Sequence, residues 1–176
     1  MKRISQMIIR TIKPEDYFEV GNLIKTAFSQ TSHGYDGEAE LVEEIRKDPL
    51  YDPELEMVVE RNNAIIGHGL MSRVDVDGTV GLALAPLSVF PEYQRQSVGR
   101  KLVAKLEEKA VQRGYTFSTV LGWPEYYQRF SYVKAANHNI KAPFSVPEEY
   151  YMVKELVPGG LDNVTGTVHY LQAFGA

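Results

Sequence analysis

The 176 residues carry 23 acidic and 19 basic side chains, a net charge of −4, with 44% apolar and 24% charged positions. This is the balance of a soluble globular chain long enough to bury a substantial core, and it argues against general nucleic-acid binding, which draws on a basic face. Cysteine is absent, which excludes disulfides, thiolate metal sites and a cysteine nucleophile.

His33, His68, His138 and His169 lie far apart without ligand spacing, so no metal site is expected. The N-terminal Met1-Lys2-Arg3-Ile4-Ser5-Gln6 lacks the long apolar run of a signal peptide, and no segment suits a membrane span. A cytoplasmic protein without a membrane partner is the resulting expectation.

In chain order, Met7 to Ile12 reads as a strand. Pro14-Glu15-Asp16 then supplies helix-start chemistry, and Tyr17, Val20, Leu23, Ile24 and Phe28 keep helical spacing. Residues 29–37 form a polar loop. Glu38 to Lys47 reads as a second helix that buries Leu41, Val42 and Ile45 before Pro49 ends it. Its acidic stretch, Glu38, Glu40, Glu43 and Glu44, fits a solvated face.

Met57-Val58-Val59 and Ala64-Ile65-Ile66 are strand runs around a hairpin turn at Arg61-Asn62-Asn63. The second run continues to about Val74, and Asp77-Gly78 turns the chain into Val80–Val89, giving three antiparallel strands in a row. Leu102, Val103, Leu106, Ala110 and Val111 trace the apolar stripe of a helix that Gly114 stops. Phe117 to Leu121 follows as a strand, and the strand–helix–strand order makes it parallel to Val80–Val89. A short helix opens at Trp123-Pro124-Glu125, and Tyr150–Leu156 and Thr165–Tyr170 are the clearest strands of the tail.

The stretch from Leu87 to Leu102 concentrates the chemistry. A buried strand, a basic turn and a helix start bring backbone N–H groups and a positive dipole end to one point, as phosphate binding requires. Arg95, Arg100 and Lys101 add charge. Taken alone, Gln94-x-x-Ser97-x-Gly99 equally fits a solvated surface turn. A P-loop is excluded because no Ser or Thr follows Lys101, and Gly67-His68-Gly69 lies inside a strand, where a dinucleotide fingerprint does not belong. In Tyr126-Tyr127-Gln128-Arg129-Phe130, helical geometry turns neighbouring rings about 100° apart, so one tyrosine packs while the other faces a cleft.

Residues 94–99 resemble motif A of the GNAT superfamily of N-acetyltransferases, Gln/Arg-x-x-Gly-x-Gly/Ala. Tyr127-Gln128-Arg129-Phe130-Ser131-Tyr132 is similar to the later family motif Tyr-x-x-x-Gly-Phe. The likeness extends to the YhbS-like branch. It shows in Gly67-His68, Leu84-Ala85-Pro86-Leu87-Ser88-Val89, Val120-Leu121-Gly122, Tyr126-Tyr127-x-Arg129-Phe130 and Pro143-Phe144-x-Val146-Pro147.

The resemblance implies one α+β domain over residues 1–176, a mixed and mostly antiparallel sheet flanked by helices. Its parallel central strands would splay to admit acetyl-CoA. It implies acetyl transfer to an amine of a small molecule, peptide or protein, with no metal. Leu87, Ser88 and Val89 would lend backbone groups to the pantetheine arm, and Gln94, Arg95, Gln96, Ser97, Val98, Gly99 and Arg100 would cradle the pyrophosphate. Tyr127 matches the general acid towards the departing CoA thiolate. His33, Glu38, Glu40 and His68 stay open as general base.

Serine replaces the family glycine at Ser97 and Ser131. A non-catalytic acyl-CoA-binding sensor is therefore the alternative, and a homodimer remains open.

Overall fold

The computed structural model describes residues 6–175. Strand β1 (Ile8–Thr11) leads through a single turn, where the Asp16 carboxylate accepts the Lys13 N–H at 2.8 Å, into helix α1 (Tyr17–Ser29). Helix α2 (Glu38–Arg46) follows, then β2 (Glu56–Arg61), β3 (Ala64–Val76) and β4 (Thr79–Val89). Helix α3 (Val98–Gln112), β5 (Phe117–Leu121) and the short α4 (Pro124–Tyr127) come next. The chain ends with β6 (Val133–Lys134), β7 (Ile140–Lys141), β8 (Tyr151–Glu155) and β9 (Gly166–His169).

The sheet runs β1-β2-β3-β4-β5-β8-β6, with β9 against the end of β3 and β7 against β9. Pairing is antiparallel except for β4–β5 and β7–β9. This is the mixed α+β sheet expected from the sequence. The hairpins turn as their residues dictate: Asn62 and Asn63 both take left-handed φ (53° and 60°), which suits a two-residue loop between twisted strands.

Each face of the sheet is covered by one helical layer. On one side α1 buries Val20, Leu23, Ile24 and Ala27, and α2 buries Ala39, Val42 and Ile45, against Val58, Ile65 and Leu70. On the other, α3 sets Val98, Leu102, Val103 and Leu106 on Met57, Val59, Leu82 and Leu84. Each such fully buried side chain contributes about 1.5–3 kcal/mol relative to exposure. Gly69 lets α3 come close, because a Cβ there would lie 2.8 Å from Leu106 Cδ1. The glycines around His68 thus serve helix–sheet packing.

Two expected core positions differ. Val111 is 40% exposed, since α3 has rotated it off the sheet by its last turn, and Leu41 is half-buried, with Ala39 taking the inward place on α2. The two-residue strands β6 and β7 were too short to leave a periodic signal.

The β4–β5 pairing decides where a site can form. Only Leu82–Ser118 and Ala83–Thr119 pair. Beyond them β4 bulges: Leu84 and Leu87 oppose Met71 and Gly69, so two residues on β4 span the place of one on β3. A bulge bends its strand and raises its twist. The strands splay as expected, leaving β4 main chain from Ala85 onward without β5.

Candidate active site

Two cavities open at that splay. One, about 910 Å³, is lined by Leu87, Val89, the turn 93–100 without Gln96, Tyr126, Tyr127, Arg129 and Phe130. Arg95, Arg100 and Arg129 bring three guanidiniums to it, and among the described residues no carboxylate lines it. The first helical hydrogen bond of α3 runs from the Lys101 N–H to the Ser97 carbonyl at 3.1 Å. The amides of Val98, Gly99 and Arg100 therefore stand at the end where a helix leaves its N–H groups unused and its dipole positive. An anion, and a phosphate in particular, suits this basic cavity.

The turn owes its shape to two residues with left-handed backbone, Arg95 (φ 62°) and Ser97 (φ 65°). Ser131, at the second missing glycine, also has positive φ (72°). The sequence left open whether Ser97 needed this conformation; it does, and the strain is on the order of 1–3 kcal/mol for each such serine. Gln94 Nε2 donates to the Val89 carbonyl at 3.1 Å, which ties the turn back to the end of β4.

The second cavity, about 780 Å³, lies on the α1–α2 side. Loop residues Thr31, His33, Gly34 and Asp36, together with Glu38, line it opposite Ala83–Leu87, Val120–Trp123 and the segment from Phe144 to Tyr150. Residues from the polar loop 29–37 and from the segment 122–147 border it. Asp36 and Glu38 are its carboxylates, and among the described residues no lysine or arginine lines it. Trp123, 55% exposed, meets Tyr150 edge-on at 5.5 Å and lies 6.4 Å from the His33 ring.

Leu87, Tyr126 and Tyr127 line both cavities. The Tyr127 ring packs on the α3-side core, edge-on to Phe130 and Tyr132, and lies over Gly122. Burial, with a smaller push from Tyr126, raises its phenol well above the usual range. Tyr126 reaches instead to the start of α3, where a Cβ at Gly99 would run into its hydroxyl. Burial raises the Tyr126 phenol too, against a lowering by Arg129. Of the two rings Tyr127 is the one that packs, yet it still borders both cavities.

The remaining expected residues divide. Leu87, Val89, Gln94, Arg95, Ser97, Val98, Gly99 and Arg100 line the basic cavity. The Ser88 side chain is buried beside its strand partner His68, and Gln96 Nε2 folds back to the Glu92 carbonyl at 2.9 Å; neither side chain lines the cavity. Of the candidate bases, His33 and Glu38 line the aromatic cavity. Glu40 is engaged by the Tyr35 hydroxyl. His68 is sealed in the core, its Nε2 2.8 Å from Glu56.

Glu56 also receives Arg46 at 2.5 Å and the Tyr51 hydroxyl at 2.5 Å. Burial alone would raise its carboxyl, but the His68 and Arg46 hydrogen bonds outweigh that and hold it down at about 2. This network is a structural fastening between α2 and the sheet. Sequence reasoning missed Tyr150, Tyr170 and Phe174 as cavity walls, since tail aromatics carry no local pattern that assigns them, and it quoted Arg129 in the family-like segment without giving it a role.

Among the described residues no group of three or more histidines and carboxylates is placed to hold a metal ion, and no helix is long and apolar enough to cross a membrane.

The open helix start and the splayed parallel strand pair both lie within the part of the chain that matches a known family. Residues 19–130 match the Acetyltransferase (GNAT) family, and the chain belongs to it. It is 31% identical over 170 residues to the uncharacterized N-acetyltransferase YhbS of Escherichia coli (strain K12), covering 96% of this chain and 98% of that one. The crystal structure of YhbS from Escherichia coli in complex with CoA superposes with a TM-score of 0.91 at 29% identity, covering 100% of this chain and 96% of that one. A GNAT family acetyltransferase from Brucella melitensis in complex with acetyl-CoA gives a TM-score of 0.79 at 26% identity, covering 96% and 98%.

Proposed function

We propose that the protein is an acetyl-CoA-dependent N-acetyltransferase that passes the acetyl group directly to an amine. The observation that carries this reading is the meeting of an arginine-lined cavity and a carboxylate-bearing aromatic cavity at Leu87, Tyr126 and Tyr127. The YhbS and Brucella melitensis structures are complexes with CoA and acetyl-CoA, and the basic cavity has the charge and the free helix end to take the same ligand here.

In this assignment the amides of Val98, Gly99 and Arg100 hold the pyrophosphate, with Gln94, Arg95, Gln96 and Ser97 shaping the turn. The main chain of Leu87, Ser88 and Val89 faces the pantetheine arm where β5 has left it. The amine nitrogen bonds to the acetyl carbon as the carbon–sulfur bond breaks. Tyr127 gives a proton or a hydrogen bond to the departing sulfur.

A thiol near ~8.5 is a stronger acid than a phenol near ~10, and burial widens the gap for Tyr127. Tyr127 therefore stays protonated at neutral pH and stabilises the developing thiolate mainly as a donor. Such positioned donation is worth ~10²–10⁴ in rate. An alkylamine near ~10.4 costs ~4–5 kcal/mol to deprotonate at pH 7, and of the four candidate bases Glu38 and His33 line the cavity where they can help. With no cysteine in the chain, direct transfer is preferred to an acyl-enzyme.

The test is release of free thiol from acetyl-CoA with an amine panel, alongside calorimetric titration of acetyl-CoA. Thiol release that Tyr127→Phe suppresses is expected. Tight acetyl-CoA binding without release for any amine would make the chain a non-catalytic acyl-CoA sensor. No binding at millimolar acetyl-CoA would sink both readings.

A further inference from the structure

Resting on the acetyltransferase reading, we propose that the acceptor is a primary monoamine with an apolar, ring-sized body and no carboxylate. The aromatic cavity sets all three terms. Its volume, about 780 Å³, lies within the roughly 300–1,000 Å³ of small-molecule sites. Its walls include Phe28, Trp123, Phe144, Tyr150 and Phe174, and its floor is Ala83–Leu87. Trp123 and Phe144 are 55% and 38% exposed, a cluster of wet aromatic surface that a flat apolar guest would cover.

Charge sets the other two terms. Asp36 and Glu38 stand at the α2 end of the cavity, where the Glu38 carboxylate accepts the Asp36 N–H at 2.8 Å. One ammonium can approach these carboxylates and the aromatic faces around them. A carboxylate on the guest would meet two like charges and no arginine or lysine among the lining residues. A second or third ammonium would lie along apolar wall without a partner, which costs free energy unless it is paired. The cavity thus favours a decarboxylated aromatic amine over the parent amino acid and over a polyamine.

Phenethylamine, phenylalanine, spermidine and Nα-acetyl-lysine amide are suitable probes. Thiol release should favour phenethylamine over phenylalanine by about tenfold in kcat/KM, the effect of bringing a carboxylate beside two partly exposed like charges. Spermidine and the lysine amide should fall between them. Trp123 is the only tryptophan in the chain, so its emission reports on this cavity without any turnover. Phenethylamine should shift the emission to the blue and saturate, and phenylalanine should not. In the paired change Asp36→Asn and Glu38→Gln, phenethylamine should bind about threefold to tenfold more weakly. The uncharged 2-phenylethanol should bind that variant as before, which separates lost charge from lost fold.

A preference for phenylalanine, spermidine or the lysine amide, with thiol released, overturns the inference and leaves the acetyltransferase reading standing. Failure to bind acetyl-CoA at all removes the reading on which the inference rests.

Discussion

The two cavities share a tyrosine pair and differ in almost everything else. The basic cavity is built largely from one continuous stretch, Leu87 to Arg100, closed by residues 126–130. The aromatic cavity collects its walls from segments near residues 28–41, 83–87, 120–127, 144–150 and 170–174. Three arginines face the first and two carboxylates the second, so the two cavities carry opposite charge on either side of Tyr127. The difference teaches that one ligand site can be a local property of a chain while its neighbour, a few ångströms on, is a property of the whole fold.

The sharpest way to break this comparison is at the shared wall. Tyr127→Phe should lower turnover by ~10²–10⁴ while acetyl-CoA affinity stays nearly unchanged, read by steady-state kinetics and calorimetry. Tyr126→Phe should cost less turnover, because its hydroxyl reaches towards Gly99 at the start of α3. Equal losses from both changes would take the acid role away from Tyr127.

A change that touches neither cavity supplies the contrast. Glu56→Gln takes the charge partner from the largely covered Arg46 and breaks a pair whose carboxylate is fully buried, and should destabilise the fold by about 3–5 kcal/mol in chemical denaturation. Both ligand affinities should then fall only as the folded fraction falls. The sign of the pH effect follows from the depressed carboxyl. The Glu56 contribution is present above its unfolded value of 4.5 and is lost as pH falls towards about 2. That difference is worth about 3 kcal/mol. Thermal melts between those two pH values should show the loss, and Glu56→Gln should flatten it.

Within the basic cavity, Arg95→Gln, Arg100→Gln and Arg129→Gln should each weaken acetyl-CoA binding by roughly threefold to tenfold and reduce its salt dependence. Amine KM should stay put. An equal rise in both constants would show that the cavities are not electrostatically separate. The smallest effect is expected at Ser97→Gly. Relief of a left-handed serine should raise Tm by about 2–4 °C, for a gain of about 1 kcal/mol, with acetyl-CoA affinity little altered.

Most elements were legible because they obey local rules. The α3 stripe of Leu102, Val103, Leu106 and Ala110, the Asn62-Asn63 turn and the parallel setting of β5 all follow from periodicity, turn chemistry and chain order. Val111 was misread because the last turn of a helix can leave the face that its spacing implies. His68 looked like a candidate base because a sequence does not show that its imidazole is sealed against Glu56. Ser97 showed that a glycine was missing, but not whether its backbone needed one.

The sequence by itself determined the basic turn at residues 93–100, since strand, turn and helix start are contiguous and their backbone geometry follows from local chemistry. It also determined that Tyr127 stands beside a second tyrosine on a short helix. Only the tertiary structure decided which tyrosine packs, that the β4 bulge opens the sheet, and that Asp36, Glu38 and a ring of distant aromatics surround one space. The reason is physical. A helix end displays its amides wherever the helix begins, whereas a cavity wall made from five separate segments exists only once the sheet has brought them together.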